Sequence, residues 1–462
     1  MTSHHPTDTT PTGSPVTAAP PSPPAAGCPL AGRTVLTVGL ALVLAVVAYR
    51  ETRPVVFERT LDLYKVPTDF MVYFRAGEAL ACGEGIYDGP LYGHLPFTYP
   101  PFAGSIFRYV ASAPAEMSAT FWQLACVGAL VAVVLGTLVQ RGYRLDTGTF
   151  ALGVATAMAA LALSPVRDSF FYGQINMLLM LLVALDFLRT RDRLTGIGVG
   201  IAAGLKLTPA FFILVFLMQR RWREAATATA TFAVTVGIGF LTVPDAMRFW
   251  TSAIFDSSRI GSDTVSASQS LKGFTERTFD SDTTGTAVWL VSCVVVVALL
   301  YVAVRWATRR GNQALVMALG GITACLISPF SWHHHWVWLV PLVVCLVDLG
   351  VRAAPAWPGH RVRSWFSSQV GALLALLVVW VAMIPFVSHQ VSVHWSFIGQ
   401  QYMSVPWNSM WVLWGVLILV AFAAVGLVDA VRSRRTETGT ETGTETGTVP
   451  AEEPTDSNPA GR

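Results

Sequence analysis

The chain has 462 residues and a formal net charge of +3; 53% of its residues are hydrophobic and only 13% are charged. Soluble domains carry about 25% charge, so a soluble enzyme is excluded, and so small a basic surplus gives no argument for nucleic acid. The mean hydropathy is +0.52, and apolar runs such as 34–49, 121–139 and 288–304 match the roughly 20 residues that a bilayer-spanning helix needs. The expected class is an all-α polytopic membrane protein.

Residues 1–30, rich in Pro, Thr, Ser and Ala, read as a disordered cytoplasmic tail. No basic start precedes the first apolar run, which is long enough to anchor rather than to be a cleavable signal. Within a membrane domain at 31–431, the predicted full spans are about ten: 31–49, 119–140, 150–165, 172–188, 225–243, 286–305, 313–330, 335–351, 369–388 and 409–431. Residues 432–462, with a repeated TETG unit, form a second disordered cytoplasmic tail. Six cysteines without a CxxC pair give neither a disulfide framework nor a zinc site.

Between the fourth and fifth spans lies 195–218, apolar but interrupted by Gly204-Leu205-Lys206-Leu207-Thr208-Pro209. Read as one span, it places Arg189, Arg191 and Arg193 across the membrane from Arg220, Arg221 and Arg223, against the positive-inside rule. A pair of half-helices that enters and leaves on one side restores the rule. Each half is about 15 Å long at 1.5 Å per residue, and a helix break at that depth must line a cavity or be buried in protein. Counting both halves gives up to 12 transmembrane helices, cytoplasmic termini, and outer segments at 50–118, 244–285 and 389–409.

Candidate chemistry follows from residues that are expensive in such a chain. Asp69, after Pro67-Thr68 and before the helix-like stretch 70–81, is either an N-cap or a carboxylate acting as general base at the membrane surface. Lys206, one of three lysines, sits between two apolar half-helices, where a cation suggests an anionic ligand; the alternative is snorkelling. In Ser328-Pro329-Phe330-Ser331-Trp332-His333-His334-His335-Trp336, adjacent histidines on a helix point about 100° apart and do not chelate one metal. They are either an interfacial belt or hydrogen-bond donors to a phosphate or sugar. Gln174 and Asn176 either hold a hydroxylated substrate or cap a helix. Asp280-Ser281-Asp282 has DxD spacing, which is frequent in solvated loops.

Taken together, TDFMVYFRAGEAL, GIYD, FTYPPFAG, Tyr172-Gly173-Gln174-Ile175-Asn176, the Lys206 segment, Ser268-Gln269-Ser270-Leu271-Lys272-Gly273 and SPFSWHHHW resemble glycosyltransferase family 87. These are polyprenol-phosphate-mannose-dependent α-1,2-mannosyltransferases of mycobacteria and relatives, in the GT-C superfamily. The resemblance runs in order from about 66 to 350, with Ser268 a departure where relatives often carry Asn. It implies a GT-C fold in the plasma membrane and an active site on the extracytoplasmic face. The donor is then polyprenyl phosphomannose and the acceptor a mannosylated lipid of phosphatidylinositol mannoside or lipomannan type. Asp69 stands at the position of the family's base.

An α product from a β donor is an inversion by direct displacement, so one carboxylate suffices. Lys206, His333, His334, His335 and Arg75 are the expected donors to the leaving phosphate, with Gln174, Asn176, Tyr99 and Gln269 as further substrate contacts. Tyr99, Phe97 and Trp332 are candidates for stacking on sugar or lining a lipid groove. No cofactor is required; a divalent metal is possible through Asp280 and Asp282. The alternatives are an arabinofuranosyltransferase using decaprenyl phosphoarabinose and a lipid-linked sugar flippase.

Overall fold

A computed structural model describes residues 66–190, 192–256, 259–261, 265–279, 282–353 and 408–441. The N-terminal tail, the spans 31–49 and 369–388, residues 442–462 and Asp280 lie outside the described residues, whereas 432–441, expected in the second disordered tail, continue the last helix.

The chain enters through a short amphipathic helix, α1 (Thr68–Ala81), then a two-stranded antiparallel hairpin of β1 (Pro90–Tyr92) and β2 (Leu95–Pro96). This hairpin is a small departure from the all-α expectation. Next comes α2 (Pro101–Val110), whose first residue is a proline, the position where a missing N–H costs nothing. The apolar series follows as α3 (Ala115–Gln140), α4 (Thr147–Ala159), α5 (Ser164–Tyr172), α6 (Asn176–Phe187), α7 (Ile197–Leu205), α8 (Phe211–Met218) and α9 (Trp222–Thr242). Two short helices, α10 (Ala246–Thr251) and α11 (Leu271–Thr278), precede α12 (Asp282–Arg309), α13 (Gln313–Ile327), α14 (Leu339–Ala353) and α15 (Met410–Glu441). Side-chain caps set several starts: Asp146 accepts from Thr149 N at 2.7 Å, Ser270 from Gly273 N at 3.1 Å and Asn312 from Leu315 N at 3.0 Å.

Among the described residues four helices are long and apolar enough to cross a bilayer: Ala115–Gln140, Trp222–Thr242, Thr283–Arg309 and Met410–Ser433. The protein is therefore a membrane protein, but the expected spans at 150–165 and 172–188 are drawn differently. Helices α4 and α5 bend by 82° about 160–163 and count together as one broken span. Pro165 stands in the first turn after the bend, where a helix can begin but not continue. Gly173, at φ +71°, then ends α5 in the left-handed conformation that glycine tolerates best. What remains is the 12-residue α6, about 18 Å long and short of the roughly 30 Å hydrocarbon core.

The half-helix pair has the expected hairpin form. Lys206 is extended, with φ −153° and ψ 132°, and interrupts the helix after Leu205. On α7, glycines spaced by four meet α9 in register: Gly196 faces Glu224, Thr227 and Ala228, Gly200 faces Ala228 and Thr231, and Gly204 faces Thr235. Helices α7 and α9 thus run parallel on a small-residue seam. Since α9 starts four residues after α8 ends, α8 must return to the end from which α7 started. Arg223 closes this end with a 2.7 Å bond to Asp192 O.

The other basic loops gather at the same end. Gln219 donates to Thr308 Oγ1 at 2.8 Å and to Gln313 at 2.9 Å, and Gln140 to Gly311 O at 2.6 Å. Arg141 pairs with Asp348 at 2.7 Å and Arg310 with Asp429 at 2.6 Å. At the opposite end of α9, Gly239 abuts Pro101, and Asp245 accepts from Ile86 N at 2.9 Å and Tyr87 N at 2.8 Å. The polar α1–α2 segment is thereby fixed away from the arginines.

The α7–α9 seam is testable. A side chain at Gly200 has no room, so Gly200→Leu should cost about 1–3 kcal/mol by overpacking. Gly237→Leu, on α9 with nothing within 4 Å, should not destabilise. Thermal unfolding in detergent compares the two.

Candidate active site

Helix α1 begins at Thr68 after Pro67, and no side chain caps it. Asp69 is therefore a first-turn residue rather than the N-cap, and its half-buried carboxylate turns inward to accept a hydrogen bond from Gln174 Nε2. Gln174 Oε1 lies 3.2 Å from Tyr99 OH and 3.3 Å from Tyr73 OH; the hydroxyls are 2.7 Å apart, so one donates to the other and the remaining proton goes to the amide oxygen. Burial pushes the Asp69 carboxyl up to about 6, opposed by the Gln174 bond and by the charges of Lys206 and His333. Burial also pushes both phenols above their ordinary value, so they stay protonated.

Two residues beyond Gln174, Asn176 opens α6 and serves a second charge. Its Oδ1 accepts from Lys206 Nζ at 3.2 Å, while its Nδ2 donates to His334 O at 2.9 Å. Lys206 Nζ also meets His335 Nε2 at 3.0 Å and lies 5.4 Å from the centre of the Tyr99 ring. An ammonium only donates, so this ring nitrogen accepts and His335 is neutral, with its proton on Nδ1. Among the described residues no carboxylate forms an ion pair with Lys206. The lysine lines a small cavity with Asn176, Thr208, Cys325 and His335.

The histidine run forms a 3-10 turn, His333–Trp338, not an α-helix. At three residues per turn the rings diverge still more. His333 Nε2 meets Asp168 Oδ2 at 3.1 Å, the His334 ring lies between Trp332 and Tyr172, and His335 meets Lys206. Ser169 Oγ, at 3.0 Å, joins Asn176 in holding the His334 carbonyl. Among the described residues no three His, Cys, Asp or Glu side chains are arranged to hold a metal ion.

The structure thus brings together Asp69, Gln174, Asn176, Tyr99, Lys206 and the three histidines. It does not bring Arg75, whose side chain is half exposed and pairs with Glu78 at 2.7 Å on the outer side of α1. Gln269 serves the scaffold: its N bonds Ser331 O at 2.7 Å, its side chain Asn408 O at 2.7 Å, and its carbonyl accepts from Trp336 Nε1 at 3.2 Å. Phe97 is fully buried against Tyr87 and Phe107 and offers no face to a sugar. Two contributors were not singled out from the sequence. These are Tyr73, within the helix-like stretch 70–81, and Asp168. The signal for Asp168 was its place beside Arg167 within an apolar stretch, since such charges are kept only with partners; Arg167 lies 3.7 Å away.

Residues 97–329 match glycosyltransferase family 87. The chain belongs to that family. It is 33% identical over 356 residues to a polyprenol-phosphate-mannose-dependent alpha-(1-2)-phosphatidylinositol pentamannoside mannosyltransferase of Mycobacterium tuberculosis (strain CDC 1551 / Oshkosh), covering 74% of this chain and 78% of that protein. It is 32% identical over 414 residues to a polyprenol-phosphate-mannose-dependent alpha-(1-2)-phosphatidylinositol mannoside mannosyltransferase of Mycolicibacterium smegmatis (strain ATCC 700084 / mc(2)155), covering 84% and 88%. Among solved structures, it aligns with ArnT from Cupriavidus metallidurans bound to undecaprenyl phosphate at a TM-score of 0.36 and 14% identity, over 86% of this chain and 78% of that one. The protein is a membrane glycosyltransferase.

With Asp69 as the base that the family resemblance implies, its environment would give this glycosyltransferase a pH dependence. A carboxyl raised to about 6 is protonated, and useless as a base, below that pH. kcat/KM should therefore fall about tenfold per pH unit below 6 and level off above it, as read from transfer rates between pH 4.5 and 8.

Proposed function

We propose that this glycosyltransferase moves mannose from polyprenyl phosphomannose to a mannose of a phosphatidylinositol mannoside or lipomannan-type lipid, forming an α-1,2 linkage with inversion. The single observation that carries the reading is the presence of a half-buried carboxylate, Asp69, and a half-buried ammonium, Lys206, in one site of a family 87 member. Asp69 takes the proton of the acceptor hydroxyl as oxygen attacks the anomeric carbon. Lys206 offsets the charge that grows on the departing phosphate in a place shielded from water. A phosphate leaves without a general acid, so one carboxylate is enough and no cofactor is needed.

The mannose donor and the acceptor are inferred from the two mycobacterial relatives, both named for polyprenol-phosphate-mannose and a phosphatidylinositol mannoside substrate. Neither name favours arabinofuranose, and membership in a glycosyltransferase family weighs against a flippase. We assign the protein a GT-C fold in the plasma membrane with cytoplasmic termini. The catalytic site is on the extracytoplasmic face: the arginine-rich loops share one end, and the positive-inside rule makes that end cytoplasmic.

Reconstituted protein given radiolabelled polyprenyl phosphomannose and mannosylated lipid acceptors should transfer mannose. Asp69→Asn should remove at least about 10²-fold of kcat while keeping the elution profile of folded protein. Lys206→Met should lower kcat by a similar factor. Turnover by Asp69→Asn at the wild-type rate would overturn the base; transfer of arabinofuranose but not mannose would overturn the donor.

A further inference from the structure

Gln174 has one amide donor group and one amide oxygen, and the two ends are held differently. The oxygen faces Tyr99 OH and Tyr73 OH at 3.2 and 3.3 Å, two phenols that keep their protons; 2.7 Å apart, they share one between themselves and give the other to the amide. The nitrogen is aimed at Asp69 Oδ2. The reverse orientation would set the amide oxygen against an ionised carboxylate, so the direction of the amide is fixed chemically whenever Asp69 is charged.

The surrounding frame gives the amide little freedom. Tyr73 stacks on Phe107 at 4.6 Å and 10°, and Tyr87 OH holds the Tyr99 carbonyl at 2.7 Å. Trp122 Nε1 holds the Gly173 carbonyl at 2.9 Å, immediately before Gln174. Gly173 itself has φ +71° and packs on Pro67 and Phe70, the residues flanking Thr68-Asp69. The turn that carries Gln174 and the turn that carries Asp69 are thus built against each other. Gln174 is buried, with both amide atoms bonded to protein.

From this geometry we infer that Gln174 is a positioning residue for Asp69. Locked by Tyr73 and Tyr99, it ties up one carboxylate oxygen and leaves the other for the acceptor hydroxyl. The inference rests on the reading of Asp69 as the base. It also assigns the two tyrosines a role in catalysis at one remove: they select the amide orientation that an ionised Asp69 needs. The other titratable groups facing Asp69 are Lys206 and His333, which favour its ionised form, and Tyr172, a phenol that stays neutral. The Gln174 bond adds to the first two and opposes burial.

The test measures kcat, donor KM and the acid limb of the pH profile in the full-length protein. Gln174→Glu removes the donor and adds a negative charge; Gln174→Met removes the donor alone. In both variants kcat at pH 7 should fall about tenfold and the acid limb should move up, by about one pH unit or more in Gln174→Glu. Donor KM should stay within about threefold of wild type. Tyr73→Phe/Tyr99→Phe, which keeps both rings, should move the limb in the same direction by less, and it carries the test if position 174 tolerates no change. An unmoved acid limb in folded variants would overturn the inference, since a merely structural glutamine lowers kcat without shifting the limb. Asp69→Asn separates the two readings: if it is active, the base assignment and this inference both fall. If it is inactive while the limb is unmoved in the Gln174 variants, this inference alone falls.

Discussion

A lysine ammonium at the apex of a broken apolar hairpin is the constraint around which this protein is arranged. A cation at that depth is costly, and a break in a helix exposes backbone groups that lipid does not satisfy. Both demands are met by surrounding the apex with protein. Glycines at 196, 200 and 204 let α7 lie directly on α9, and Asp186 accepts from Val199 N at 2.7 Å at the start of α7. At the apex itself Asn176, His335 and the Tyr99 ring receive the ammonium. Moving any of these elements would strand the charge, which is why α6, the hairpin and the histidine turn form one unit.

The link between that unit and the outer helices is the three-residue turn at Gly173–Ile175. Gln174 goes to Asp69 and Asn176 to Lys206. One short turn therefore sets the two charges relative to each other, and Trp122 anchors it from α3. Sub-ångström placement of reacting groups matters greatly in catalysis, and a turn held from three sides supplies such placement better than a free loop.

Much of this could be read from the sequence, and the misreadings have physical causes. The break at Lys206 was legible because Gly, Lys and Pro within six residues do not continue an apolar helix. Gln174 and Asn176 stood out as polar groups in apolar surroundings, but spacing alone did not say that they serve opposite charges. The expected spans at 150–165 and 172–188 followed hydropathy, which counts apolar residues. It gives no weight to the proline at 165 or the left-handed glycine at 173, and these redraw the path. Arg75 was expected among the donors to the phosphate, yet six residues along a helix from Asp69 rotate by about 240°, which carries it to the exposed face. The histidines were projected onto an α-helix, whereas the Ser328-Pro329 entry leads into a 3-10 turn.

The neutral amides explain how a carboxylate and an ammonium coexist in one site without neutralising each other. A direct Asp69–Lys206 ion pair would favour the ionised carboxylate so strongly that it became a poor proton acceptor. It would also occupy the cation that a departing phosphate needs. Here each charge is bonded to an uncharged side chain instead, Asp69 to Gln174 and Lys206 to Asn176 and neutral His335. The carboxyl, held at about 6, is ionised near neutral pH yet basic enough to accept a proton as the acceptor oxygen attacks. The ammonium keeps its field for the leaving side. On the proposed reading, separation of the two charges by neutral side chains gives a base on one side of the reacting sugar and a cation for the departing phosphate on the other.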